Sequence, residues 1–312
     1  MKKRHARLSA LLLTGAMALS LAACSGAGSG SGTSESPEAT GGAATGDTIK
    51  VGALFNVTGG QASLDEPSLR GFQLYFDQLN EAGGINGRQI QVVSYDGKTD
   101  QSTCATNTSK LIDVDGVVAI GGLSDSNYAF AAGNVAQEAG VPFVFSGATT
   151  PTLNDIGNYV FLTPFGDDTC AYAAAEYMTE EMGLTKAYML VDQSMDFTTT
   201  LAECFQERLE ENGGEVVMTD NYMNKDPDFS AQIDRFLNDS QGAEVLFFAS
   251  VPDDIGTIVK QFRDKGVTLP ILSGDGADTP LLMEVAGDAA EGVLVSTHCS
   301  FGNDDPLVQE FV

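Results

Sequence analysis

Two loops concentrate groups that can hold an anion. Gly121-Gly122-Leu123-Ser124-Asp125-Ser126-Asn127 joins an apolar run to a helical one, gathering hydroxyls and unpaired backbone N–H groups at the positive end of a helix. Ser146-Gly147-Ala148-Thr149-Thr150-Pro151 follows the next apolar run and adds small residues for close approach and two further hydroxyls. A carboxylate suits such a place, although each loop taken singly also reads as turn and cap chemistry. Asp275, between Gly274 and Gly276, has the same two readings, a turn residue or an acidic contact. Bond-breaking chemistry is poorly equipped. Apart from His5 near the N-terminus, His298 is the only histidine; there is no Gly-x-Ser-x-Gly elbow, and no His, Cys and Asp set has metal-ligand spacing along the chain. The expectation is a binding protein without cofactor or metal.

The elements that must position these loops follow from periodicity. From Ile49 nearly to the end, short β-rich apolar runs alternate with amphipathic stretches. Strands are expected at 49–54, 89–94, 117–120, 143–145, 187–191, 216–219, 245–249, 270–272 and 293–296. Helices are expected at 67–81, 102–112, 126–139, 168–182, 198–212, 229–238, 254–265 and 280–285. This βαβα order implies an α/β fold of parallel sheets with helices on both faces. Residues 158–166 break the rhythm with Pro164 and Gly166 after a short strand, and are read as a crossover from one lobe to a second. Both loops then lie at carboxyl ends of strands, where open α/β sheets bind ligands.

With 43 acidic and 16 basic residues among 312, the chain carries a formal charge of -27. That excludes nucleic acid as a partner, because a phosphate backbone would be repelled, and it reads as a solvated, soluble surface. The basic residues Lys2, Lys3, Arg4 and Arg7 precede an apolar run from Leu8 to Leu21, the pattern of a secretory leader too short to remain as a membrane span. Leu21-Ala22-Ala23-Cys24 closes that run and looks like a bacterial lipobox, so Cys24 is expected to carry a lipid anchor. Residues 25–46, rich in Gly, Ser, Thr and Ala, form a flexible tether with a reach of roughly 25 Å. Among the other cysteines, Cys170 and Cys204 fall near the starts of two helices; a bridge between them and two buried thiols are both open readings.

Leu79-Asn80-Glu81-Ala82-Gly83-Gly84-Ile85-Asn86-Gly87-Arg88 resembles the helix-ending signature of the type I periplasmic binding proteins, specifically the branched-chain amino acid receptors of ABC transporters. Val141-Pro142, Gly213-Gly214-Glu215-Val216, Asp228-Phe229-Ser230 and Gly274-Asp275-Gly276 support the resemblance, which runs from about Ile49 to Gly292. It implies two doubly wound lobes hinged about a ligand whose carboxylate is held by the first. By position Ser126 and Thr149 match the hydroxyl ligands, Gly147 or Ala148 the backbone contact, and Asp275 the acid that takes the ammonium group. One residue is inserted around the first loop, which keeps Ser124 a candidate beside Ser126. Where the family places aromatic rings over the ligand, this chain has Leu64, Asp196-Phe197 and Val251, leaving Phe197 as one aromatic wall and Asp196 as a second acid or a helix start.

The resemblance sets the expected organisation: leader 1–23, lipidated cysteine and linker 24–47, first lobe 48–163, second lobe 164–292, and a return to the first lobe over 293–312. The family continues for several dozen residues more, so the chain is read as a fragment or a shortened receptor. The implied activity is capture of a branched-chain or similar small amino acid, or a related amide, for an ABC permease and ATPase. The protein is then a monomer on the extracytoplasmic face of the cell membrane, held there through lipid alone. A lipoprotein that reports ligand to a membrane kinase or chemoreceptor is the alternative.

Overall fold

The computed structural model describes residues 48–311. Cys24, the leader and the tether lie outside the described residues. Five strands build the first sheet: β1 (Ile49–Phe55), β2 (Ile90–Asp96), β3 (Ile120–Gly122), β4 (Phe143–Phe145) and β5 (Val160–Leu162). Their order is β2-β1-β3-β4-β5, every pairing parallel. Between them run α1 (Ala62–Glu81), α2 (Gln101–Lys110) and α3 (Ser126–Ala139). Ala129, Ala132 and Ala136 of α3 join Cys104, Leu111, Phe143 and Phe145 in one buried cluster, while α1 meets the sheet through Phe72, edge-on to Phe55 at 5.7 Å.

The second sheet repeats the plan with β6 (Lys186–Asp192), β7 (Glu215–Tyr222), β8 (Val245–Ala249), β9 (Ile271–Ser273) and β10 (Val293–Val295), in the order β10-β9-β8-β6-β7. Its central strands are apolar on both faces, as parallel strands covered on both sides must be. Met189, Val191 and Phe247 pack against α4 (Asp167–Glu176) and α5 (Asp196–Glu211), where Phe205 stacks on Phe247 at 3.8 Å. The alternate residues Tyr188, Leu190, Leu246 and Phe248 face α6 (Ser230–Asn238), α7 (Pro252–Asp264) and α8 (Pro280–Ala286). A last helix, α9, spans Pro306–Phe311.

The decapeptide is a structural device. Gly84 N–H bonds back to the Leu79 carbonyl, and Ile85 and Arg88 exchange both backbone bonds across Asn86 and Gly87, which have φ of 52° and 76°. Two successive positive φ values make the tight turn that favours Asn-Gly. The Asn80 side chain clamps the first residue of β2, accepting from Ile90 N at 2.7 Å and donating to its carbonyl at 2.8 Å.

Two expectations need correction, and one open reading is decided. The first helix begins at Ala62, with Pro67 inside it as its sixth residue and not at its start, which removes one internal helical N–H donor. Val293–Val295, expected to begin the return to the first lobe, pairs with β9 as the edge of the second sheet, so these residues still belong to the second lobe. Cys170 and Cys204 stand on the packed pair α4 and α5 but are free thiols.

Candidate ligand-binding cleft

The carboxyl ends of both sheets converge. Gln61 and Leu64 follow β1, Ser124 and Asp125 follow β3, and Thr149 follows β4; from the other lobe come Phe197 after β6, Val251 and Pro252 after β8, and Asp275 and Gly276 after β9. In both sheets the strand order reverses beside the first strand of the lobe, which is where open α/β folds bind ligands.

The lobes touch across this line. Asp196 N donates to Asn127 Oδ1 at 2.9 Å and Thr279 Oγ1 to Ser63 Oγ at 3.1 Å, while Tyr128 packs against a buried cluster of each lobe. The space left between the walls is a cavity of about 10 Å³, room for no more than a water molecule, so an entering ligand has to part the lobes. Larger hollows lie against β9 and β10 and, sharing Leu64 with this cavity, between α1 and α8, but neither is lined by Ser124, Thr149 or Asp275.

On the first-lobe side, Leu123 has φ of 57°, a left-handed conformation unusual for leucine, and this bend presents Ser124 to the cleft. Asp125 caps α3, accepting from Asn127 N at 2.9 Å and from Gln61 Nε2 at 3.1 Å. Ser126 is not on the cleft wall. It is fully buried, and its hydroxyl accepts from Thr150 N at 3.1 Å, pinning one loop to the other. Gly147 also joins the loops, because a Cβ there would come within 2.9–3.0 Å of Ser124. Its N–H bonds to the Leu123 carbonyl at 3.3 Å, so it has no free donor for a ligand. The Ala148 side chain lies in the core, and Thr149 reaches the cleft. Of the residues read from sequence, the structure brings Ser124, Thr149, Phe197 and Asp275 together and sets Ser126, Gly147 and the Ala148 side chain behind them.

Three buried carboxyl groups support this wall. Burial pushes Asp125 up to about 7, Asp167 up to about 7 and Asp65 up to about 6, against an ordinary 3.8. Asp65 accepts from Asn56 N at 2.6 Å, and Asp167 accepts from Thr150 Oγ1 at 2.9 Å beneath Thr149. None of them was read from sequence as part of the site, since nothing in the spacing tells a buried Asp from a capping one.

On the second-lobe side, the Phe197 ring lies where a Cβ on Gly276 would stand, 2.9 Å from Cε1, so glycine at 276 lets ring and turn meet. Asp196 begins α5 with an exposed side chain and does not line the cleft, which favours the helix-start reading. Asp275, on the turn after β9, is 3.2 Å from His298 Nε2 through Oδ2, while its buried Oδ1 has no hydrogen-bond partner among the described residues. The arrangement offers hydroxyls and the N-terminus of α3 from one lobe and a carboxylate from the other, a pair of poles for a ligand carrying both charges.

A family profile described as periplasmic binding protein matches residues 48–312. The chain belongs to the periplasmic binding protein family. Such proteins work outside the cytoplasm and bind ligands without transforming them. This periplasmic binding protein is 28% identical over 265 residues to an amino acid binding protein of Pseudomonas aeruginosa, across 84% of this chain and 69% of that one. The leucine-binding protein LivK of Thermotoga maritima superposes with a TM-score of 0.79 at 27% identity, over 85% of this chain and 74% of that one. The branched-chain amino acid transporter substrate-binding protein LivJ of Streptococcus pneumoniae, solved with isoleucine, gives 0.73 at 29% identity, over 79% and 70%. The resemblance to branched-chain amino acid receptors is borne out. No helix among the described residues is long and apolar enough to cross a membrane.

Proposed function

We propose that the protein captures a free small amino acid, branched-chain or similar, and delivers it to an ABC importer. The observation that carries this reading is the opposition of Ser124, Thr149 and the α3 N-terminus in one lobe to Asp275 in the other. The ligand carboxylate meets hydroxyls and backbone N–H groups, and its ammonium group meets Asp275. Leu64, Phe197 and Val251 supply apolar cover for a short aliphatic side chain. Two of the similar proteins are named for leucine and branched-chain binding, which agrees with that cover.

Capture is a hinge motion. Contacts such as Asp196 to Asn127 re-form once the ligand is enclosed, and a transporter can then recognise the closed pair of lobes. A lipid on Cys24 would hold the receptor at the extracytoplasmic face of the membrane, where its tether lets the lobes reach a permease. The experiment is a thermal-shift screen of the amino acids and their amides: stabilisation by a small aliphatic amino acid supports the reading, and stabilisation by none of the amino acids rejects it.

A further inference from the structure

One cluster shares Asp275 with the cleft and adds two groups, Cys170 and His298, that have no part in holding a zwitterion. Cys170 on α4, Asp275 after β9 and His298 after β10 converge so that a sulfur, a carboxylate oxygen and an imidazole nitrogen all lie within 4.8 Å of one another. They come from three separate elements, which is why no spacing along the sequence shows them. Cys170 is 3% exposed, and Asp275 Oδ1, His298 Nδ1 and Asp167 Oδ1 are buried without hydrogen-bond partners among the described residues. The surroundings are acidic: Asp275, Asp167 and Asp278 all act on His298, and Asp275, Asp167 and Asp168 act on Cys170. The imidazole is the one group of the cluster able to carry positive charge.

A partly exposed, negative cluster of sulfur, nitrogen and oxygen donors is suited to a divalent cation. Thiolate and imidazole together select a borderline ion such as zinc over calcium or magnesium, which prefer oxygen throughout. We propose that Cys170, Asp275 and His298 form a three-ligand site for zinc or a similar transition-metal ion.

Bonds of about 2.0–2.3 Å to such an ion require the donors to draw in by roughly 1 Å at their widest. His298, on a partly exposed segment, can supply that movement. Burial and the neighbouring carboxylates push the Cys170 thiol up to about 12, so without an ion it stays protonated and inert. A doubly positive ion reverses the electrostatics. The thiol proton leaves to solvent, the sulfur coordinates as thiolate, and Nε2 exchanges its hydrogen bond with Asp275 for a metal bond. Three protein ligands leave a fourth position for water or a ligand atom.

The site is tested on the full-length chain, stripped with chelator and titrated with cobalt(II) under reducing conditions. The expected result is one tightly bound cobalt per chain with a thiolate-to-metal charge-transfer band, displaced by zinc and still present when amino acid is absent. Cys170→Ala should abolish the band, and His298→Gln, on the exposed segment and safe for folding, should weaken binding at least tenfold. Amino-acid affinity, measured on metal-free protein, reports separately on the capture reading. No thiolate band, or a band and affinity unchanged in both variants, overturns the proposal and assigns any uptake to other thiols or to surface carboxylates.

Discussion

The hydroxyl of Ser126 accepts a hydrogen bond from the backbone N–H of Thr150 at 3.1 Å, and both residues are buried. The bond ties the N-terminus of α3 to the loop after β4, the two pieces of chain that carry Ser124 and Thr149. Ser126→Ala leaves the Thr150 N–H buried without a partner, a loss of about 1–3 kcal/mol, which should lower the melting temperature by several degrees. Ser124→Ala, at the cleft surface, should weaken ligand binding while lowering the melting temperature by less than Ser126→Ala does. Thermal denaturation and calorimetric titration of the two variants separate these roles.

The same two loops meet at Gly147, where a Cβ would press on the Cα, Cβ and Oγ of Ser124. Because backbone is among those neighbours, Gly147→Ala has to displace the loop that presents Ser124. Weaker ligand binding, with an effect larger than that of Ser124→Ala, is the expected outcome of a calorimetric comparison. Equal affinity to the parent would show that Ser124 takes no part.

Asp125 and Asp65 make stability depend on pH. Their folded values, about 7 and about 6, stand above the unfolded 3.8 because burial disfavours the charged form. Groups raised on folding contribute stability that is whole below the unfolded value and is lost as pH climbs through the folded one. Between about pH 4 and about pH 7 the melting temperature should therefore fall as pH rises. Asp125→Asn should flatten that slope at small cost, because the Gln61 amide can turn and accept from the new Nδ2 with its now unpartnered Oε1. Melting curves across that range check it; an unaltered slope in the variant would assign the dependence elsewhere.

Phe205 stacks on Phe247 at 3.8 Å with an interplanar angle of 8°, both rings fully buried between α5 and β8. Phe205→Ala should cost about 3–5 kcal/mol, as a large cavity in a core does. Denaturant unfolding reads this directly, and a loss under about 1 kcal/mol would mean that the second-lobe core collapses around the gap.

Much of the fold was legible because parallel strands covered on both faces read as short apolar runs, and β4 and β8 begin and end where those runs do. β3 was placed too early because Gly121 and Gly122 read as a turn. In the structure they are strand residues, and a Cβ on Gly122 would collide with the Leu54 carbonyl of β1. Within the cleft, Ser124, Thr149, Phe197 and Asp275 were accessible through local motifs at strand ends. Ser126 was read as a ligand hydroxyl, whereas here it holds the loop after β4, because a hydroxyl at a helix start looks the same whether it faces ligand or a second loop. Asp65, Asp167 and His298 acquire their roles only when distant segments meet, which no local pattern encodes.

The most direct test of the capture reading is a calorimetric comparison, on metal-free protein, of a small aliphatic amino acid with the same acid lacking its α-amino group. The amino acid should bind more tightly, and Asp275→Ala should cost it about 2 kcal/mol or more, roughly 30-fold in Kd, while leaving the des-amino acid nearly unaffected. Equal affinity for the two ligands, or an amino-acid affinity indifferent to Asp275→Ala, would contradict the pairing of carboxylate and ammonium across the two lobes.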